Sequence, residues 1–394
     1  MIAGKQTLNT ALPLATLTSE RHRPTRHGLM LSLNDKPSVS SALPSLEVHQ
    51  ELPTLEAHLN NGLEIKGANP EAISSIGLDL RVSDEIYQAP CLRTINFLQQ
   101  LRQLARKGNI KRIDPKNGKV LLEADDSGKK IYYIVSRESI ALPEEFNMLV
   151  DARSNTGRLA VMCTDRPTVD RLTGKSAPVI FAAQPYAFPI ELIPGEDSLV
   201  QAIFRYKDTD FMTVEEVKKD KAVTFLDRDG TSLNGSMQFT RYGATLTFHT
   251  DRVLVARPLT ELPGPIELCK RDHYTIEDFF EVREGQDEVE ISPRRFYLLG
   301  TRENIRLGNV CGLLSRETPD TGTGLWSHFA GFFWPGYQGP ITMECRSESP
   351  YVIVAGDPAG YVMFDKMDSP LKEGKAYKGA FQYQMAPKAP KPFK

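Results

Sequence analysis

The chain has 394 residues, a formal net charge of -2, 40% hydrophobic residues and 25% charged residues. This composition is typical of an ordinary soluble globular protein, and the balanced charge excludes a dedicated nucleic-acid binder, which carries a basic excess. No apolar run reaches the length of about 20 residues that a membrane-spanning helix needs, so we expect no membrane partner. At about 150 residues per domain, the length predicts two domains.

Residues 1–50 are predicted to form a poorly ordered leader. They contain few acidic residues, a basic cluster at 21–27 and many Ser, Thr and Pro, a composition that buries little apolar surface. An organelle transit peptide is the alternative to a plain bacterial-type extension. Since the cysteines are odd in number, far apart and never in C-x-x-C pairs, we expect a reducing compartment and a cytoplasmic location.

The remainder of the chain is predicted to be mainly β. Helical periodicity is confined to residues 94–107, which Gly108 ends, and to residues 53–60. Short apolar runs between turn residues predict strands at 119–124, 130–136, 178–183, 199–206, 222–226, 244–249, 252–256, 294–300, 340–345, 351–356 and 361–367. Their spacing is typical of a β-sandwich or β-barrel. The segment 387–394 is predicted to be a tail whose prolines prevent strand pairing.

A weak internal repeat indicates a duplicated domain. Residues 130–140 resemble residues 295–305: each has an aromatic strand, a polar turn and then Arg-Glu. A repeat of this length indicates duplication rather than a solenoid. We therefore expect an N-terminal domain at 51–235 and a C-terminal domain at 236–386.

The segment 151–159 is a first candidate for chemistry. It places two arginines, a serine, an asparagine and a glycine between apolar strands. Guanidinium groups beside a hydroxyl and a glycine turn can hold phosphate oxygens or stabilise developing negative charge. The alternative is a polar β-turn with a structural arginine.

The segment 328–344 is a second candidate. Its aromatic residues, Gly and Pro predict a hairpin, after which Glu344 stands among apolar strand residues. A carboxylate that points into a dry pocket has a raised pKa and suits acid–base work near neutral pH. The alternative is a solvated glutamate that pairs with Arg346.

The segment 224–231 resembles the first motif of haloacid-dehalogenase-type phosphatases. That motif needs a parallel α/β sheet after it, whereas a further β pattern follows here. A hairpin turn at Asp229-Gly230 is the favoured interpretation. Zinc chemistry is not indicated either, since the chain lacks H-x-E with P-C-x-x-C and also lacks HExxH.

Together these segments resemble the dCTP deaminase family in its long bacterial two-domain form, from about residue 52 to residue 393. The resemblance depends on SSIGLDLR (74–81), ESIALP (138–143), RSNTGRL (153–159), FYLL (296–299), FAGFF (329–333), PG (335–336), MECRS (343–347) and YKG (377–379). It implies a mainly β fold of two tandem dUTPase-like (β-clip) barrels with a few short helices. It also implies zinc-independent hydrolytic deamination of dCTP to dUTP and ammonia, which feeds dTTP synthesis, in a homo-oligomer.

The family resemblance also implies the roles of individual residues. Glu344 would be the base that activates water, with Ser154 and Arg158 as its partners across the domain junction. The remaining positions would bind the nucleotide: Arg153 and Asn155 the phosphates, Ala330 the base edge, and Tyr377 as a cover. The cofactor would be Mg²⁺ bound through the triphosphate, with no zinc.

Three departures from the family pattern leave alternatives open. Ala182 stands where the first domain would carry the glutamate, and the second domain has SRETPD (315–320) in place of the Arg-Ser segment. A composite site could therefore remain whole while the reciprocal site is lost. Trp334 replaces an aspartate expected before Pro335. The alternatives are a catalytically impaired nucleotide-binding homologue and a dUTPase-like nucleotide pyrophosphatase.

Overall fold

Buried and exposed side chains alternate along much of the chain, and this two-residue period is that of β-strands. The computed structural model describes Leu59 and residues 62–394, apart from residues 70–72, 75, 96, 165–171, 173, 208–209, 242, 316–323 and 368–376. These described residues belong to one unit, Val48–Lys394. The predicted leader and nearly all of the predicted helix 53–60 lie outside the described residues.

The strands account for most of the regular structure, and they begin and end as follows. In chain order they are β1 (Glu64–Lys66), β2 (Gly77–Ala89), β3 (Lys111–Ile113), β4 (Val120–Leu122), β5 (Ile131–Ala141), β6 (Phe146–Ala152), β7 (Val161–Thr164), β8 (Ala177–Pro185), β9 (Ile190–Leu192), β10 (Ser198–Tyr206) and β11 (Val223–Leu226). They continue with β12 (Phe239–Thr240), β13 (Gly243–Ala256), β14 (Ile266–Glu267), β15 (Phe280–Glu284), β16 (Glu288–Ile291), β17 (Phe296–Leu307), β18 (Val310–Leu314), β19 (Phe332–Phe333), β20 (Gln338–Arg346), β21 (Tyr351–Val354) and β22 (Pro358–Lys366).

The helices in the described part of the chain are short. They are α1 (Leu98–Arg106), α2 (Ser154–Arg158), α3 (Val214–Lys219), α4 (Ile276–Phe279) and one 3-10 turn, Leu259–Glu261. The predicted start of the first helix at residue 94 is wrong. Phe97, the residue before the helix, has an extended backbone. Tyr133 Oη donates to the Arg93 carbonyl at 2.7 Å, and this bond holds the chain outside the helix just before the predicted start. None of the helices within the described ranges could span a membrane.

The two halves of the chain repeat one antiparallel strand order. In the first half the order is β6-β10-β2-β5-β8, and in the second it is β18-β22-β13-β17-β20. The prediction of a mainly β fold with two dUTPase-like barrels and a few short helices is confirmed. Two strands predicted at 244–249 and 252–256 form the single strand β13, whose pairing with β17 is interrupted by a bulge between His249 and Leu254.

The predicted internal repeat has the same local geometry in both halves. In the first, the β5–β8 pairing shifts register between Val135 and Ser139; in the second, the β17–β20 pairing shifts between Gly300 and Asn304. A hydroxyl stabilises each bulge. Ser136 Oγ accepts from the backbone of β8 at 2.8 Å, and Thr301 Oγ1 accepts from the backbone of β20 at 2.9 Å.

The glutamates of the repeated Arg-Glu pair hold neighbouring strands together. Glu138 accepts from the backbone N–H of Arg81 at 2.9 Å, and Glu303 accepts from that of Thr247 at 2.8 Å. Both glutamates are buried. The repeated dipeptide is therefore structural, because buried carboxylates need such donors.

The apolar core joins the halves. One cluster contains residues of both, among them Phe188 from the first half and Phe280 from the second, whose ring centroids lie 5.0 Å apart. A second cluster extends from Val217 to Phe364, so it includes residues on both sides of position 235. The domain division at residue 235 stays a prediction, and the halves share this packed junction.

Two further predictions concern the turn at Asp229-Gly230 and the C-terminal segment 387–394. At Asp229-Gly230 the chain turns as predicted, with Gly230 N–H donating to Asp227 O at 2.9 Å, and β11 pairs antiparallel with β17 rather than in a phosphatase-like parallel sheet. Residues 387–394 form no strand, as predicted. They are nevertheless packed against the protein, because Phe393 is buried in the core and forms an isolated bridge with Tyr274.

Candidate active site

Glu344 is a buried carboxylate on β20, opposite Leu298 of β17. Its side chain is 2% exposed, and its Oε2 accepts from the backbone N–H groups of Phe329 at 2.7 Å and Ala330 at 2.9 Å. Burial raises the pKa of this carboxyl to about 7, against the lowering effect of those two hydrogen bonds and of Arg158. A carboxyl with this pKa can both take and return a proton near neutral pH.

The alternative of a solvated Glu344 paired with Arg346 is wrong. Arg346 is itself fully buried, its guanidinium carbon lies 4.4 Å from the centroid of the Tyr186 ring, and its ion pair is with Glu348. Because the two side chains have different partners, the charge of Glu344 is not neutralised by its neighbour on the strand.

Helix α2 brings the first half of the chain against this carboxylate. It follows directly on β6, and its Gly157 has no side chain to separate the helix from Glu344. A Cβ atom at Gly157 would lie 2.6 Å from Glu344 Oε1 and 2.8 Å from the Cβ of Ala330. Glycine is therefore required at this position by close approach.

Arg158, the last residue of α2, is held by the C-terminal segment. Its guanidinium donates to Gln384 Oε1 at 3.2 Å and to the Lys388 carbonyl at 2.7 Å, and it lies 3.7 Å from the centroid of the Phe381 ring. Burial lowers the pKa of Arg158, whereas the nearby Glu344 raises it. Its Nε is buried without a hydrogen-bond partner among the described atoms.

A cavity of about 30 Å³ joins these groups. It has room for one or two water molecules, whereas a small-molecule pocket usually measures several hundred Å³. Its lining residues come from both halves and from the C-terminal segment: Ser154, Arg158, Ala330, Phe332, Phe333, Trp334, Tyr337, Ile341, Thr342, Glu344, Tyr377 and Phe381. The structure thus brings together five of the seven predicted site residues, and their roles stay predictions.

The other two predicted site residues, Arg153 and Asn155, do not line the cavity. Arg153 forms an ion pair with Asp79 at 3.0 Å. Asn155 accepts from the backbone N–H of Lys391 at 2.6 Å through its side-chain oxygen. Both residues face partners within the protein, so their predicted phosphate contacts would require an exchange of these partners.

Trp334 lies at the junction and at the edge of the cavity. Its ring would lie 3.2 Å from a Cβ built on Gly77, and its centroid is 5.3 Å from that of Phe332. The tryptophan therefore packs against the first half of the chain and forms an apolar wall at the position where the family resemblance predicts an aspartate.

Sequence reasoning missed two contributors to the site. Gln384 donates to Pro340 O at 2.6 Å and to Thr342 Oγ1 at 3.2 Å while it accepts from Arg158. Asp151 accepts from the N–H groups of Gly331 and Phe332, both at 3.0 Å. The sequence signal for Asp151 was its position at the start of the candidate segment 151–159, to which no role was assigned at that residue.

Comparison with known proteins finds a family match within the second half. Residues 249–367 match the family model for dCTP deaminase-like proteins. These residues form a dCTP deaminase-like domain. The predicted resemblance to the dCTP deaminase family is confirmed. The match includes β17, β20 and Glu344, and it ends before Tyr377.

A solved structure extends the similarity of fold to both halves. The crystal structure of 2'-deoxycytidine 5'-triphosphate deaminase from Agrobacterium tumefaciens is similar over 80% of this chain and 96% of that chain, with a TM-score of 0.66. The sequence identity is 18%, so this likeness concerns the fold. No curated protein matches the sequence.

Proposed function

We propose that this dCTP deaminase-like protein deaminates dCTP hydrolytically to dUTP and ammonia, without zinc, in a site shared by its two halves. The observation that carries the proposal is Glu344: a carboxyl with a pKa of about 7, buried beside Ser154 and Arg158 at one junction cavity. The family match of residues 249–367 and the deaminase-like fold support the same reaction.

The reaction needs one residue to move protons and others to stabilise charge. Glu344 takes a proton from water as the water oxygen bonds to C4 of cytosine, and it returns a proton to the amino nitrogen as the C4–N bond breaks. Water is thereby consumed, and ammonia leaves. Ser154 and Arg158 supply a hydroxyl and a guanidinium for the oxygen and the developing charge, and such preorganised donors lower the barrier.

The substrate in this proposal is dCTP carrying Mg²⁺ on its triphosphate. Arg153 and Asn155 bind the phosphates, Ala330 meets the base edge, and Tyr377 covers the nucleotide. The product dUTP serves dTTP synthesis. A cytoplasmic location and a homo-oligomer belong to the same proposal.

A catalytically impaired nucleotide-binding protein is the second candidate. The C-terminal segment and Trp334 leave a cavity of about 30 Å³, which is too small for a nucleotide unless they move. A dUTPase-like pyrophosphatase has less support, because the hairpin carries Trp334 where that chemistry wants an aspartate.

The first experiment is ammonia release from the purified protein with dCTP and Mg²⁺, with the nucleotide product identified by chromatography. We expect dUTP and ammonia in equal amounts, and a loss of about 1,000-fold in Glu344→Gln, because general acid–base catalysis contributes roughly 10²–10⁴-fold. Glu290→Gln, an exposed glutamate on β16, is the matched control and should keep full activity.

The other outcomes discriminate between the candidates. Formation of dUMP and pyrophosphate would move the protein to the pyrophosphatase class. Tight dCTP binding without any product would favour the impaired nucleotide-binding homologue.

A further inference from the structure

Four consecutive backbone N–H groups divide between two carboxylates from opposite halves of the molecule. We call residues 329–332 the amide loop. The first two N–H groups, of Phe329 and Ala330, donate to Glu344 in the second half. The next two, of Gly331 and Phe332, donate to Asp151 Oδ2 in the first half. All four bonds are between 2.7 and 3.0 Å long.

Asp151 reaches the amide loop from a rigid element. It lies near the end of β6, where it is paired with Gln201 of β10, one residue before Ala152 ends the strand. Its carboxylate forms charge-assisted hydrogen bonds, which are shorter and stronger than neutral ones. A change in the distance between the two halves would therefore be transmitted to the loop through this side chain.

Other contacts restrict the amide loop from its remaining sides. The Gly331 carbonyl accepts from Leu314 N–H at 2.8 Å, which attaches the loop to β18. Helix α2 lies against Ala330 and leaves no space for a side chain at Gly157. With Asp151 on one side and β18 on another, the N–H groups of Phe329 and Ala330 have a fixed direction.

We infer that Asp151 is a positioning residue: its carboxylate fixes the amide loop so that Phe329 and Ala330 hold the Glu344 carboxylate at the cavity. The structural part of this inference, that Asp151 fixes the amide loop, rests on the hydrogen bonds alone. Its kinetic part, that loss of Asp151 slows turnover, rests on the proposed deaminase function. Asp151 acts through the amide loop and does not line the cavity.

Asp151 also acts on Glu344 as a charge. The charged groups that influence the pKa of Glu344 are Asp151, which raises it, and Arg158, which lowers it. Removal of the Asp151 charge with its shape retained should therefore lower the pKa of Glu344. A purely structural residue would change stability without moving this titration.

The test uses the full-length protein with Asp151→Asn, Asp151→Ala and, as a matched control, Asp84→Asn, an exposed aspartate on β2. Two readouts do not need turnover. One is amide hydrogen exchange of residues 329–332, and the other is the pH dependence of the Ala330 amide signal in protein labelled with ¹⁵N-alanine. The inflection of the Ala330 signal that is present in the wild type and missing in Glu344→Gln is the one that reports the titration of Glu344.

We expect faster exchange at 329–332 in Asp151→Ala and an inflection at lower pH in Asp151→Asn, with the control unchanged. In turnover, Asp151→Ala should lose about 10–100-fold in kcat with little change in KM, the range typical of residues that orient a catalytic group. Asp151→Asn should lose less, since its amide oxygen still accepts.

Unchanged exchange in Asp151→Ala together with an unchanged Ala330 inflection in Asp151→Asn would overturn the inference. An inactive wild-type protein with both physical effects present would instead overturn the proposed function and leave the loop-fixing role established. If Asp151→Ala does not fold, amide exchange of residues 329–332 in Asp151→Asn decides instead: exchange faster than in the wild type is expected, because the neutral amide oxygen accepts more weakly than the carboxylate, and unchanged exchange would overturn the loop-fixing role.

Discussion

The two halves of the molecule keep the same scaffold and differ where the chemistry would lie. Each has a bulge stabilised by a hydroxyl, Ser136 in one and Thr301 in the other. Glu344 of β20 is paired with Leu298 of β17, whereas Ala182 of β8 is paired with Tyr133 of β5. This fold therefore forms without the carboxylate, and stability does not explain the glutamate at position 344.

The surroundings of the two positions differ as well. The cavity beside Ala182 measures about 180 Å³ and is bordered by exposed residues of the segment before α1, including Leu92 and Arg93. The cavity beside Glu344 is six times smaller, about 30 Å³, because α2 and the C-terminal segment cover it. The first-half cavity is thus larger and has Arg93 at its border, whereas the second-half cavity contains a buried carboxylate and a buried guanidinium.

The largest effect is expected for Ala182→Glu, which gives the first half the carboxylate that it lacks. This places a carboxylate at the first half's counterpart of Glu344, at a position that is only 4% exposed. We expect a loss of about 4 kcal/mol in the free energy of unfolding at pH 8, the order measured for an uncompensated buried charge. Chemical denaturation at pH 8 and pH 5 checks this, and the loss should be smaller at pH 5, where the carboxyl can be protonated.

Val352→Glu, at an exposed position of β21, is the control and should cost little. A stable Ala182→Glu protein at pH 8 would show that the first-half cavity supplies donors of its own.

Gly157→Ala tests the close contact between α2 and Glu344, which the site in the second half requires. The new methyl group would lie 2.6 Å from Glu344 Oε1, so either the helix or the carboxylate must shift. We expect kcat/KM to fall by about 100-fold, the order expected of a displacement near 1 Å at a catalytic group. Steady-state kinetics with dCTP measure it. Gly235→Ala has open space around the new methyl group and should behave as wild type; equal activity of both variants would contradict the contact.

The smallest effect concerns pH. The pKa of Glu344 rises from 4.5 in the unfolded chain to about 7 in the folded one, so the folded state binds the extra proton between these values. The contribution of Glu344 to stability is therefore most favourable at low pH and is lost as the pH rises toward 7. Relative to Glu344→Gln, the wild type should lose about 2 kcal/mol of unfolding free energy between about pH 5.5 and pH 7.5. Denaturation curves at both pH values measure this, and parallel curves would show that Glu344 titrates normally.

Much of the fold was accessible from sequence because it depends on local periodicity. Apolar runs predicted β5, β8, β17 and β20, and the repeated Arg-Glu dipeptide predicted the duplication. The convergence of Ser154, Arg158 and Glu344 on one cavity was predicted only through the family resemblance. No pattern within either segment indicates that they meet across a sequence separation of 186 residues or more.

The parts that escaped prediction are long-range contacts of ordinary residues. Asp151 accepts a hydrogen bond from the backbone N–H of a residue 180 positions away. Because every non-proline residue has such an N–H group, the sequence does not indicate which one will be the donor. Gln384 contacts Arg158 at a separation of 226 residues. The prolines before Phe393 indicated an unpaired tail, yet a segment without regular pairing can still be fixed by one aromatic ring in the core.

The C-terminal segment sets the order in which the molecule can be completed during synthesis. Arg158 depends on Gln384 and Lys388 for its partners, and Phe393 lies in the core. These residues follow both barrels in the sequence, so they leave the ribosome after both barrels have been made. A nascent chain, or one cut by a protease before Gln384, would contain every predicted catalytic side chain and still have an unfinished junction.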